Sequence, residues 1–75
     1  MKTYTVTIWL KSSGHAPTRT VETDSVDVMD ILSEAINDFA KAGVDVEDAD
    51  TVDITLPNGK TEPHRVRAVL DWSKK

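Results

Sequence analysis

Cysteine is absent from this 75-residue chain. That excludes a disulfide framework and any zinc site built on thiolates, and it fits a protein of a reducing compartment. Histidine occurs only twice, as His15 and His64, too few for a histidine-based metal centre of three or four ligands. No apolar run approaches the roughly 20 residues of a membrane span, and the opening Met1-Lys2-Thr3-Tyr4 leads into alternating residues rather than a leader-like apolar stretch. The expectation is one cytoplasmic domain over residues 1–75 with no membrane contact. A chain this short buries roughly 60–65% of its unfolded surface. It has little material to wall off the concave site of about 300–1,000 Å³ that small-molecule enzymes use.

Basic residues are scarce where acidic ones gather. From Glu22 to Asp53 there are eleven acidic residues and one base, Lys41, while the flanks carry eight Lys and Arg against Glu62 and Asp71. The net charge of −4 therefore averages an acidic middle and mildly basic ends.

Hydrophobic spacing supplies the elements. Tyr4, Val6, Ile8 and Leu10 alternate with Thr3, Thr5, Thr7, Trp9 and Lys11, the period-2 pattern of a strand. Ser12 to Pro17 is a turn cluster, and Thr18 to Thr23 is a shorter, more polar second strand. Asp24-Ser25 offers helix-capping chemistry. Val28, Leu32, Ala35 and Phe39, flanked by Ile31 and Ile36, form one stripe at 100° per residue, so an amphipathic helix runs from about Val26 to Ala42. Asp27 and Lys41 complement its dipole, and Gly43 is placed to end it. Residues 44–50 form an acidic connection. Val52, Ile54 and Leu56 mark a third strand, Pro57-Asn58-Gly59-Lys60 a hairpin turn. A fourth strand is expected from about His64 to Trp72, with Val66, Ala68, Leu70 and Trp72 on the core face and Arg65, Arg67, Val69 and Asp71 on the other.

The order ββαββ predicts an α+β fold: a four-stranded sheet with one helix on one face. Two strand orders satisfy the connection rules, 2-1-4-3 and the antiparallel meander 2-1-3-4. On the expected boundaries the first and fourth strands are the most apolar, which favours 2-1-4-3 with strands two and three at the edges. That arrangement resembles the β-grasp fold of ubiquitin-like proteins in element order, but the chain shows no terminal diglycine of a conjugated modifier. An exposed edge strand could pair with a second copy, giving a homodimer.

Two surfaces are candidate sites. Asp27, Asp30, Glu34 and Asp38 are spaced by three, four and four residues, which aligns them on one helix ridge, where like charges repel at a cost of a few tenths of a kcal/mol each. Asp45, Glu47, Asp48 and Asp50 extend the acidity into the loop. A solvated face explains such a ridge, and so does a contact surface for a basic partner. The EF-hand calcium loop fails by register. In an EF-hand loop begun at Asp45, Ala49 falls at the fifth position, Asp50 replaces the required glycine and Leu56 the final glutamate. The second surface is the expected outer sheet face, where Trp9, Lys11, Arg65 and Arg67 combine an aromatic with cations as single-strand platforms do. Ser12 and Ser13 lack the strand-elbow-helix setting of a nucleophile.

The leading expectation is a non-enzymatic protein-interaction module without metal or cofactor, binding a basic partner surface. In its sharper form it is a phage or mobile-element inhibitor that occupies a nucleic-acid-binding site. The alternative is a nucleic-acid-binding module built around Trp9, Arg65 and Arg67, disfavoured by the net charge.

Overall fold

The computed structural model describes residues 1–74. β1 (Lys2–Leu10) and β2 (Thr18–Thr23) form a hairpin, followed by helix α1 (Val28–Lys41) and a single 3₁₀ turn at Val46–Asp48. β3 (Ala49–Thr55) and β4 (Thr61–Arg65) form a second hairpin, and helix α2 (Val66–Ser73) closes the described chain. The fold is α+β, and the sheet order is β2-β1-β3-β4 with every pairing antiparallel. This is the meander, not the β-grasp order 2-1-4-3 that strand polarity favours. β3 is central and β4 is an edge.

The difference traces to the last element. β3 and β4 pair from Thr55, opposite Thr61, to Thr51, opposite Arg65. Beyond Arg65 the chain leaves the ladder, although Asp50 and Ala49 of β3 continue, and satisfies its own N–H and C=O groups by coiling. Val66, Val69 and Leu70 also fit an i, i+3, i+4 stripe, and the helical period prevails over the alternation of Val66, Ala68, Leu70 and Trp72. Val69 is completely buried while Ala68 is exposed, the reverse of the strand expectation. Without residues 66–72, the fourth strand is short, polar and interrupted by Pro63. A proline has no N–H for a central ladder and belongs at an edge.

The core lies between the sheet and the two helices. Tyr4, Val6 and Ile8 of β1, Val21 of β2, and Val52 and Ile54 of β3 meet Ile31, Leu32, Ala35, Ile36 and Phe39 of α1 and Val66 and Val69 of α2. The Tyr4 hydroxyl donates to the Ser25 carbonyl at 3.2 Å, tying the chain down before α1. Asp27 caps α1 by accepting from the Met29 N–H at 3.1 Å. At the other end Gly43, with φ +91°, donates to the Ala40 carbonyl and Val44 to that of Phe39, a complete Schellman motif. The β3–β4 turn needs positive φ only at Gly59 (+91°). Asn58 stays at negative φ and accepts from the Lys60 N–H at 2.9 Å through its side chain.

Candidate functional site

The outer face of the sheet carries no helix. Its cross-strand rows are Thr20, Thr5, Thr55, Thr61, then Thr18, Thr7, Asp53, Pro63, then Trp9, Thr51, Arg65. Threonine is favoured on such half-exposed pleats, and its hydroxyls here bond one another: Thr7 with Thr18 at 3.2 Å and Thr55 with Thr61 at 3.0 Å. Trp9 is 48% exposed and its Nε1 donates to Asp53 Oδ2 at 2.8 Å. A strand separates Trp9 from Arg65, at roughly 4.8 Å per strand, with Thr51 between them.

Arg67 is not on this face. It sits on α2 and, with Lys11, Arg65 and Lys74, lines an open cleft of about 750 Å³ that Glu47, Asp50 and Asp71 also border. None of these four cations pairs with a carboxylate within 4.0 Å among the described residues. The structure thus brings Lys11, Arg65 and Arg67 together in this cleft, at the end of the sheet rather than across the outer face where strand alternation places them.

The eight acidic candidates divide by what already occupies them. Asp27 is the α1 cap. Asp38 Oδ2 lies 3.1 Å from Arg19 Nε on β2, an ion pair that links the helix to the sheet edge. Asp48 accepts from the Ser12 hydroxyl at 2.7 Å and the Ser12 N–H at 3.1 Å. These bonds, the hydroxyl's first, stabilise its ionised form and hold the carboxyl below its ordinary range. It ties the β1–β2 loop to the 3₁₀ turn, with the Lys11 N–H bonding the Asp48 carbonyl at 3.3 Å. Asp45 stands exposed before the 3₁₀ turn, and Glu47 and Asp50 face the mixed cleft.

Asp30 and Glu34 remain. Both are exposed, and neither bonds another side chain among the described residues. With Ser33, Asn37 and Ala40 they line a groove of about 510 Å³ between α1 and α2, whose other wall is Val69, Leu70 and Ser73. Sequence spacing placed Asp30 and Glu34 on one face. It could not supply the apolar wall, because that wall exists only once residues 66–73 are helical.

His64 lies on the helix-facing side of β4, opposite Val52. Its Nε2 is 3.6 Å from Glu62 Oε1, too long for a hydrogen bond, and that nitrogen is buried without a partner. Among the described residues no three His, Asp or Glu side chains converge as a metal-ion site. No helix of the described residues is long and apolar enough to cross a membrane. No protein-family model, curated protein or solved structure matches the chain.

Proposed function

We infer that this protein is a non-enzymatic interaction module, and that its contact surface is the acidic α1 side of the groove between α1 and α2. The observation that carries the reading is the contrast within the ridge. Asp27 and Asp38 are engaged by a backbone cap and by Arg19, whereas Asp30 and Glu34 stand unpaired against Val69 and Leu70. Carboxylates beside an apolar wall suit a basic amphipathic segment of a protein partner. The charges would steer the encounter and the apolar wall would supply buried area. In the narrower form the partner is itself a nucleic-acid-binding protein of the cytoplasm, with Asp30, Glu34 and the nearby loop carboxylates standing where phosphates would, as a phage or mobile-element inhibitor would use them.

The test is capture of partners from cell lysate at low and high salt, comparing the parent chain with an Asp30→Lys/Glu34→Lys double variant. Capture should fall with salt and be lost in the double variant, while Asp27→Asn, which alters only the cap, should retain it. Equal capture by the double variant would refute the reading. Release of the captured protein by duplex DNA separates the narrower form from the general one.

A second reading rests on the four cations of the other cleft, which no carboxylate approaches within 4.0 Å among the described residues, and on exposed Trp9 at the same end of the sheet. It takes single-stranded nucleic acid, with Trp9 as the stacking surface. Trp9→Ala should then cost about 1–3 kcal/mol of affinity. Filter binding at low salt that retains no single strands would end that reading.

A further inference from the structure

The two edges of the sheet differ in what their backbones offer. The Ile8 N–H donates to the Pro17 carbonyl at 3.0 Å, which makes Ile8 and Pro17 a hydrogen-bonded pair. Antiparallel pairs alternate, so Val6/Arg19, Tyr4/Val21 and Lys2/Thr23 are also bonded. Thr18, Thr20 and Glu22 stand opposite Thr7, Thr5 and Thr3 in non-bonded pairs. Their N–H and C=O groups therefore point away from β1, to the open side. At the other edge, Leu56 N–H donates to the Lys60 carbonyl at 2.7 Å, so Thr61, Pro63 and Arg65 are the outward positions of β4. The middle one is a proline with no N–H, and the last is the residue at which α2 begins. β4 is a blunted edge; β2 is an open one.

Proline, lysine and bulges are among the usual protections of an exposed edge. Thr18–Thr23 contains none of these, and its pairing with β1 has no register shift. Its one base, Arg19, points to the helix side and is engaged by Asp38, which leaves the backbone row uncovered.

We propose that β2 is a self-association edge, where two copies pair their β2 strands antiparallel about a two-fold axis at Thr20. The three outward residues are evenly spaced about Thr20, so this register sets Thr20 against Thr20 and Thr18 against Glu22 of the second copy. All three positions on each strand are used, giving about six hydrogen bonds between copies. The inner-face pairs are Arg19 with Val21, so no like charges meet. Moving the axis to Arg19 or Glu22 brings two like charges face to face, which is unfavourable. Moving it to Val21 leaves Thr20/Glu22 as the only outward pairs within the strands. The result is a continuous eight-stranded sheet with all helices on one face. Edge pairing buries less than a standard interface, so the association is weak and concentration-dependent.

The test follows amide hydrogen exchange by NMR and molar mass by sedimentation, from about 10 μM to about 1 mM, the range of a weak interface. The mass should climb from 8.3 kDa toward twice that value. The amides of Thr18, Thr20 and Glu22 should slow with concentration, while that of Thr61 on the blunted edge does not. Thr20→Pro removes the central donor and should abolish association. Thr20→Lys, which keeps the backbone donor and places like charges across the axis, does the same with less risk to the fold. A monomer throughout, with Thr18, Thr20 and Glu22 exchanging as freely as Thr61, would overturn the proposal. So would a dimer whose protection appears at α1 and α2 instead of β2.

Discussion

The clearest perturbation falls on the segment where two hydrophobic periods compete. As a strand, residues 66–72 would turn Ala68 to the core and Val69 to solvent. As α2, they bury Val69 completely and expose Ala68. A carboxylate introduced at each position separates the two arrangements without a structure determination. Burying a valine contributes about 1.5–3 kcal/mol, and an unpaired carboxylate forced into that place adds a desolvation cost of several kcal/mol. A chain of this size has roughly 4–11 kcal/mol of total stability, at about 0.05–0.15 kcal/mol per residue. Val69→Asp should therefore abolish most or all folded protein. The milder Val69→Ala removes two methyl groups and should cost about 1.5–3 kcal/mol once the residual cavity is included. With a urea slope of about 1 kcal/mol per molar for a small domain, that moves the midpoint down by about 2 M.

Ala68→Asp sits in the exposed first turn of α2, where a negative charge suits the helix dipole. It should change stability by no more than about 0.5 kcal/mol. The assay is urea unfolding followed by far-ultraviolet circular dichroism, on the parent and the three variants. If Val69→Asp folds normally and Ala68→Asp does not, α2 is wrong and the strand arrangement is right.

Two further outcomes follow from the α1 and loop contacts. Asp27→Ala should cost about 1 kcal/mol through the lost cap while Asp27→Asn stays near the parent, measured by the same unfolding curves. Asp48 has its carboxyl held below the ordinary range, so its ionised form favours the folded state. That contribution is present above the ordinary aspartate value of 3.8 and is lost as pH falls through the lower folded-state value. Stability measured from pH 6 downward should accordingly fall less steeply below about pH 4 in Asp48→Ala than in the parent, and Ser12→Ala should reproduce part of the change. An unchanged acid limb in Asp48→Ala would refute the assignment.

Much of the fold is legible in the residues because β1, α1 and β3 each obey a single period. β1 alternates without interruption, α1 has one unbroken stripe between Asp27 and Gly43, and β3 alternates up to a strong turn. The last element is ambiguous because Val66, Val69 and Leu70 satisfy one period while Val66, Ala68, Leu70 and Trp72 satisfy the other, over a stretch too short for either to dominate. That ambiguity also decides the strand order. Counting Val66, Leu70 and Trp72 in the fourth strand makes it the second most apolar and moves it to the centre. Pro63 was the available counter-signal, since it sits inside the strand and denies it a central position. At the candidate site, helix spacing was sufficient to align Asp27, Asp30, Glu34 and Asp38. Which of them remain unpaired depends on Arg19 reaching across from β2, a contact of 19 residues' separation that no local pattern encodes.

The two proposed surfaces lie on different borders of the molecule, and this has a consequence for binding. The bare sheet face has four of its threonines bonded in two pairs and Trp9 bonded to Asp53, so its polar groups are partly satisfied without a partner. Unmet demand is greater at the backbone row of β2 and at the carboxylates of Asp30 and Glu34, which border the groove with α2. α2 packs against β3 and β4, whereas β2 is the opposite edge. Pairing through β2 therefore leaves both acidic grooves accessible, on the same side of one extended sheet. A partner with two basic segments, or one that is itself dimeric, would then bind with an effective concentration set by the spacing of the grooves rather than by a single contact. Thr20→Lys leaves the groove residues intact, so it should weaken capture of such a bivalent partner without affecting a single basic peptide. Asp30→Lys/Glu34→Lys should weaken both. If Thr20→Lys and the parent capture the bivalent partner equally, the two surfaces act independently.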